Sequence, residues 1–150
     1  MEDKLILNST ELTGILGKGE IEKLSVVVEK NSWSEYRKKY DLASNLSILD
    51  YPIQLDFELN ASCNLKCPMC PISAESPKGK GKSTWFDFEL YKKIIDYSYK
   101  EGTRAIKLNY VNEPLIRKDI IKFIEYARSI GILDIYLSTN GILLTKKISN

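Results

Sequence analysis

From Ile53 onward the chain switches repeatedly between two hydrophobic periods, and that switching limits its architecture more than any other feature. Ile53, Leu55, Phe57 and Leu59 alternate with Gln54, Asp56, Glu58 and Asn60, a period of two that predicts a strand entered after Pro52. A helical face follows from about Asp87, with Leu90, Tyr91, Ile94 and Ile95 on one side and Gly102 placed to end it. A second strand fits residues 105–110. A second helix fits 117–129, with Ile120, Ile124 and Ala127 along one side and Gly131 at the capping position, and a third strand fits 133–138. Strands and helices alternating at these lengths predict βαβ units around a parallel sheet, an α/β fold whose chemistry sits in loops at the carboxyl ends of the strands. Only three units occur, whereas an eight-unit barrel takes about 200 residues or more, so residues 51–150 are expected to form an incomplete, TIM-like (β/α) barrel. Residues 1–50 read as a short N-terminal helical extension, with weak helical stretches near residues 20–29 and 33–43 and no chemical motif.

The chemistry is concentrated in the loop after the first predicted strand. The chain of 150 residues has three cysteines, Cys63, Cys67 and Cys70, spaced C-x3-C-x2-C. They are too few and too close to staple a secreted fold, and the mixed-charge start Met1-Glu2-Asp3-Lys4 lacks an apolar run long enough for a membrane span, so a cytoplasmic protein is expected. With no histidine in the sequence, serine-histidine and cysteine-histidine hydrolase chemistry and every Cys/His zinc site fall away. Thiolates favour soft metals, which leaves zinc and iron-sulfur clusters. Zinc would need a carboxylate, a water or another chain to complete four ligands. A four-iron cluster held by three cysteines keeps one iron open to bind a small molecule.

The segment Cys63-Asn64-Leu65-Lys66-Cys67-Pro68-Met69-Cys70-Pro71, following a strand, resembles the signature of the radical S-adenosylmethionine (radical SAM) superfamily. The resemblance implies that Cys63, Cys67 and Cys70 ligate a [4Fe-4S] cluster whose fourth iron binds S-adenosyl-L-methionine (SAM). It implies reductive cleavage of SAM to a 5′-deoxyadenosyl radical that abstracts a substrate hydrogen, with Met69 packing near the adenine. Asn112-Glu113-Pro114 follows the second strand, where the family carries Gly-Gly-Glu-Pro or a variant. The implied role of Glu113, with Asn112 nearby, is to hold the amino group of SAM, although Val111 and Asn112 replace the two glycines and limit backbone approach. Ser138-Thr139-Asn140-Gly141 resembles the turn of members with a C-terminal auxiliary-cluster (SPASM) domain. That makes Thr139 and Asn140 cofactor candidates and a peptide substrate the expectation. An external electron donor of the flavodoxin or ferredoxin type is implied as well. The resemblance covers about residues 53–145.

The alternative is a truncated or non-catalytic iron-sulfur or metal-binding module without turnover. Gly81-Lys82-Ser83 does not complete a phosphate-binding loop, because Ser76 stands where that pattern requires glycine. The net charge of +2, from 22 basic and 20 acidic residues, gives no field to recruit nucleic acid or an anionic membrane. The polar strand face of Gln54, Asp56 and Glu58 is expected either to line the barrel interior, with at least one residue facing substrate, or to form a solvated edge.

Overall fold

The computed structural model describes residues 30–70 and 85–146. The chain divides into two units, Met1–Leu49 and Asp50–Asn150. In the first, helix α1 (Lys30–Ser44) covers the second helical stretch expected there, and Trp33, Tyr36 and Tyr40 form a run of ring contacts along it, with centroids 5.2 and 6.0 Å apart. The stretch near residues 20–29 and the loop at 73–83 lie outside the described residues.

The second unit holds three parallel strands, β1 (Gln54–Asp56), β2 (Ala105–Lys107) and β3 (Asp134–Tyr136), in the order β1-β2-β3. Helix α2 (Phe88–Glu101) connects the first pair and α3 (Ile120–Ile130) the second, the α/β arrangement that the alternating periods predict. Register aligns Leu55 with Ile106 and Ile106 with Ile135. The central strand is the most deeply covered, with Ala105 and Ile106 fully buried, as parallel sheets require. The regular strands are shorter than the alternation suggested. Backbone pairing continues only through single bonds, Phe57 N to Lys107 O at 2.8 Å and Leu108 N to Tyr136 O at 3.0 Å, because the chain then turns into the loops that carry the motifs.

Helix boundaries follow local chemistry. Asp87 caps α2 by accepting from Leu90 N at 2.8 Å, and Gly102, at φ 123°, closes it. Gly131, at φ 105°, closes α3 with its N–H on Ala127 and Arg128 carbonyls. The start of α3 differs from the expected residue 117. Pro114–Ile116 forms a separate 3-10 turn and Arg117 is extended, at φ −77° and ψ 103°, because its side chain is engaged elsewhere. Leu90 also departs from expectation: it is exposed, and the buried stripe of α2 is Tyr91, Ile95 and Ser98.

The core between helices and sheet is largely aromatic. Tyr91 packs on Phe57 at 4.9 Å and on Phe123 at 4.7 Å, and Phe88 meets Phe123 at 4.8 Å, each such pair contributing about 0.5–1.5 kcal/mol beyond simple burial. Tyr91 Oη donates to Phe123 O at 3.0 Å, and burial pushes its hydroxyl well above the usual tyrosine range. Among the described residues no helix is long and apolar enough to cross a membrane.

Candidate cofactor site

The loops leaving the carboxyl ends of the three strands meet at one residue, Glu113. Glu113 is only 3% exposed, so its charge must be satisfied from inside. Its Oε1 accepts from Leu115 N at 3.0 Å and from Thr139 Oγ1 at 2.7 Å, and its Oε2 accepts from Asn140 N at 2.9 Å. A carboxylate has about four acceptor positions. Three are filled, and two of those donors come from the turn after β3.

The backbone of Glu113 reaches the first loop as well. Its N–H donates to Ser62 O at 3.2 Å and its carbonyl accepts from Asn60 Nδ2 at 3.0 Å. Asn60 Oδ1 then accepts from the N–H and the hydroxyl of Ser62 at 2.9 and 3.1 Å. Asn60 is 2% exposed. It belongs to the polar set of the alternating strand yet is buried, because it serves the loop rather than the sheet face.

A second asparagine repeats this device between β2 and β3. Asn109 Nδ2 donates to Asn112 O at 3.1 Å, and Asn109 Oδ1 accepts from Ser138 N at 2.8 Å. Glu58, two residues past β1, accepts from Val111 N at 2.7 Å and Tyr110 N at 3.2 Å through Oε2. Gln54 Nε2 donates to Asp56 Oδ1 at 2.7 Å. The polar face of β1 thus separates into a surface pair and one carboxylate that holds the second loop.

Among the described residues two buried acceptors are left over: Asn112 Oδ1 and Glu58 Oε1 are shielded from solvent and find no hydrogen-bond partner there. An unmet buried acceptor costs about 1–3 kcal/mol, and an ammonium is the kind of group that offsets it. Of the two residues expected near the cofactor's amine, Asn112 carries such an unmet acceptor, whereas Glu113 already accepts three hydrogen bonds.

The cysteine loop is more open. Cys63 is exposed, Cys67 and Cys70 are half-buried, and none is in a disulfide. Leu65 N approaches Cys63 Sγ at 3.5 Å and Cys70 N closes a turn on Cys67 O at 3.0 Å. Among the described residues no three cysteine or carboxylate side chains converge as a finished metal cage. A short loop of soft donors acquires its final sulfur geometry from the metal it binds, and three accessible thiols within eight residues are the donor set that an iron-sulfur cluster takes. Met69 is 85% exposed, an apolar side chain on the same loop.

Asn140 spans the remaining gap. Its Nδ2 donates to Asn64 Oδ1 at 2.8 Å and its Oδ1 accepts from Ile142 N at 3.0 Å. Of the residues singled out from the sequence, Glu113, Thr139 and Asn140 are joined directly, Asn112 stands beside them in the chain, and Asn64 brings in the cysteine loop.

Sequence reasoning missed Arg117. It is 6% exposed, with Nη1 donating to Leu59 O at 2.9 Å and Phe86 O at 2.7 Å, and its guanidinium lies 4.1 Å from the Phe123 ring centre. Its bond to Asp119, Nε to Oδ1 at 2.9 Å, holds that carboxyl below the usual carboxylate range. The signal available was an arginine close after Glu113-Pro114, before an apolar run. Arg117 clamps the exit of β1 to the entrance of α2.

Residues 58–149 match the family described as the radical SAM superfamily. The chain is 39% identical over 89 residues to a probable GTP 3',8-cyclase of Methanococcus vannielii, covering 59% of this chain and 28% of the relative. It is 32% identical over 93 residues to a 7,8-dihydro-6-hydroxymethylpterin dimethyltransferase of Methanocaldococcus jannaschii, covering 61% and 18%. Among solved structures it resembles BtrN in complex with AdoMet and 2-DOIA, with a TM-score of 0.56 and 27% identity, over 67% of this chain and 41% of that one. The chain therefore spans well under half the length of the relatives it matches.

Proposed function

Because the chain belongs to the radical SAM superfamily, whose enzymes use a [4Fe-4S] cluster and SAM, we propose that it carries the cofactor-binding core of such an enzyme. Cys63, Cys67 and Cys70 would hold the cluster as thiolates, leaving one iron for SAM. When bound, the pair supplies one-electron reductive cleavage of the sulfonium and, through it, hydrogen abstraction from a substrate.

The chain's own residues do the holding. Asn112 Oδ1, buried without a donor among the described residues, would accept from the cofactor's ammonium, and the acceptor position left on Glu113 would add a charged contact. Thr139 and Asn140 act by fixing Glu113, since the Thr139 hydroxyl and the Asn140 N–H both donate to it. Met69 offers an exposed apolar surface for the adenine. The observation that carries this reading is the meeting of all three motif-bearing loops at Glu113.

The electron comes from an external donor of the flavodoxin or ferredoxin type, in the cytoplasm, where reducing conditions suit three cysteines outside any disulfide. For the substrate, the relatives' names, a cyclase of GTP and a methyltransferase of a pterin, favour a small heterocycle over the peptide suggested by the Thr139-Asn140-Gly141 turn.

Anaerobically reconstituted protein given dithionite and SAM should release methionine and 5′-deoxyadenosine, and Cys67→Ala should release neither. Cleavage at an undiminished rate in Cys67→Ala would overturn the assignment.

A further inference from the structure

The residues on both sides of Cys63 are tied to the Glu113 site. On one side Ser62 O accepts from Glu113 N at 3.2 Å. On the other, Asn64 Oδ1 accepts from Asn140 Nδ2 at 2.8 Å, across a separation of 76 residues. Asn140 holds Glu113 Oε2 through its own N–H at 2.9 Å. A continuous path thus runs from the cysteine loop, through one asparagine amide, to the buried carboxylate at the cofactor's proposed amine site.

Both functional ends of the Asn140 side chain are in use, Nδ2 on Asn64 and Oδ1 on Ile142 N. Asn140 is therefore arranged as a bridge between loops. The Asn64 link is solvent-exposed, so it contributes little to global stability on its own. Its consequence is local: it fixes the position of the loop that begins at Cys63 relative to Glu113.

We propose that the Asn140–Asn64 hydrogen bond is a latch that couples the cysteine loop to the Glu113 site, so that SAM binding and cluster retention reinforce each other. Asn64 and Asn140 are positioning residues in this scheme. It rests on the cofactor assignment above. Coupling of this kind is reciprocal: the factor by which SAM tightens cluster binding at equilibrium is the factor by which the cluster raises SAM affinity.

The test is a double-mutant cycle on the reconstituted protein, with Asn64→Ala, Asn140→Ala and the double variant. Two quantities are read: iron released to a chelator at equilibrium, with and without saturating SAM, and SAM affinity by equilibrium dialysis for cluster-loaded and cluster-free protein. SAM should protect the wild-type cluster. Each single variant should lose about two- to tenfold of that protection, the range expected for one hydrogen bond, and the double variant should lose no more than the more affected single. Asn64→Asp keeps the acceptor and should keep the coupling, which a general loss of folding would not restore. Undiminished protection in both single variants, or losses that simply add in the double variant, would overturn the latch. Wild-type protein that takes up no iron would instead overturn the cofactor assignment, and the latch with it.

Discussion

Glu113 illustrates how a residue's position can be read from sequence while its environment is not. The Asn112-Glu113-Pro114 segment marks it as a candidate ligand carboxylate, but two of the three donors that fill it, on Thr139 and Asn140, arrive 26 and 27 residues later and only through the sheet. The same holds for Glu58. Strand period assigned it to a polar face, and nothing in that period shows that it would hold the N–H groups of Tyr110 and Val111. The burial of Glu113 leads to a specific expectation for Glu113→Gln. Whichever way the new amide turns, its NH2 faces a donor, either Asn140 N or the pair on Oε1, Leu115 N and Thr139 Oγ1. The Thr139 hydroxyl can rotate to accept, but neither backbone N–H can. The cost should be about 1–3 kcal/mol, seen as a lower urea midpoint together with weaker SAM binding.

Element boundaries were legible where local chemistry sets them. Asp87, Gly102 and Gly131 each cap the helix end their residue types predict. The start of α3 was not, because Arg117 is held extended by partners on β1's exit and before α2, contacts that no local rule contains. The two cap glycines should respond differently to alanine. Both sit at positive φ, but a Cβ at Gly102 meets nothing within 4 Å, whereas at Gly131 it would stand 2.8 Å from Tyr99 Oη. Gly102→Ala should cost about 1–2 kcal/mol from backbone strain alone, and Gly131→Ala more, in thermal or urea unfolding. A pH effect belongs to the seam between α2 and α3. Tyr126 Oη donates to Asp96 at 2.7 Å, and that bond, followed by burial and the Asp96 charge, pushes the tyrosine up to about 12. A raised value in the fold means that the stabilisation is fully present below about pH 10, the ordinary tyrosine value, and is lost as pH climbs through the folded value. Unfolding midpoints should therefore fall more steeply between pH 10 and 12 in the wild type than in Tyr126→Phe.

At the scale of the whole molecule, three parallel strands in sequential order place the ends of β1, β2 and β3 side by side, and with them the cysteine loop, the Glu113 loop and the Thr139-Asn140 turn. The alternation from Ile53 predicted that arrangement, since βαβ units put successive loops on one edge. What it left open was how the loops are joined, which depends on Asn60, Asn109 and Asn140, polar residues whose types are ordinary in turns. The central claim is that these joined loops hold an iron-sulfur cluster with a vacant iron and present SAM to it. Electron paramagnetic resonance of anaerobically reconstituted, dithionite-reduced protein, recorded with and without SAM, tests it most directly. The account predicts brown protein with about four irons per chain and a reduced-cluster signal that changes on adding SAM. Colourless protein without a signal, or a cluster signal indifferent to SAM, would contradict it.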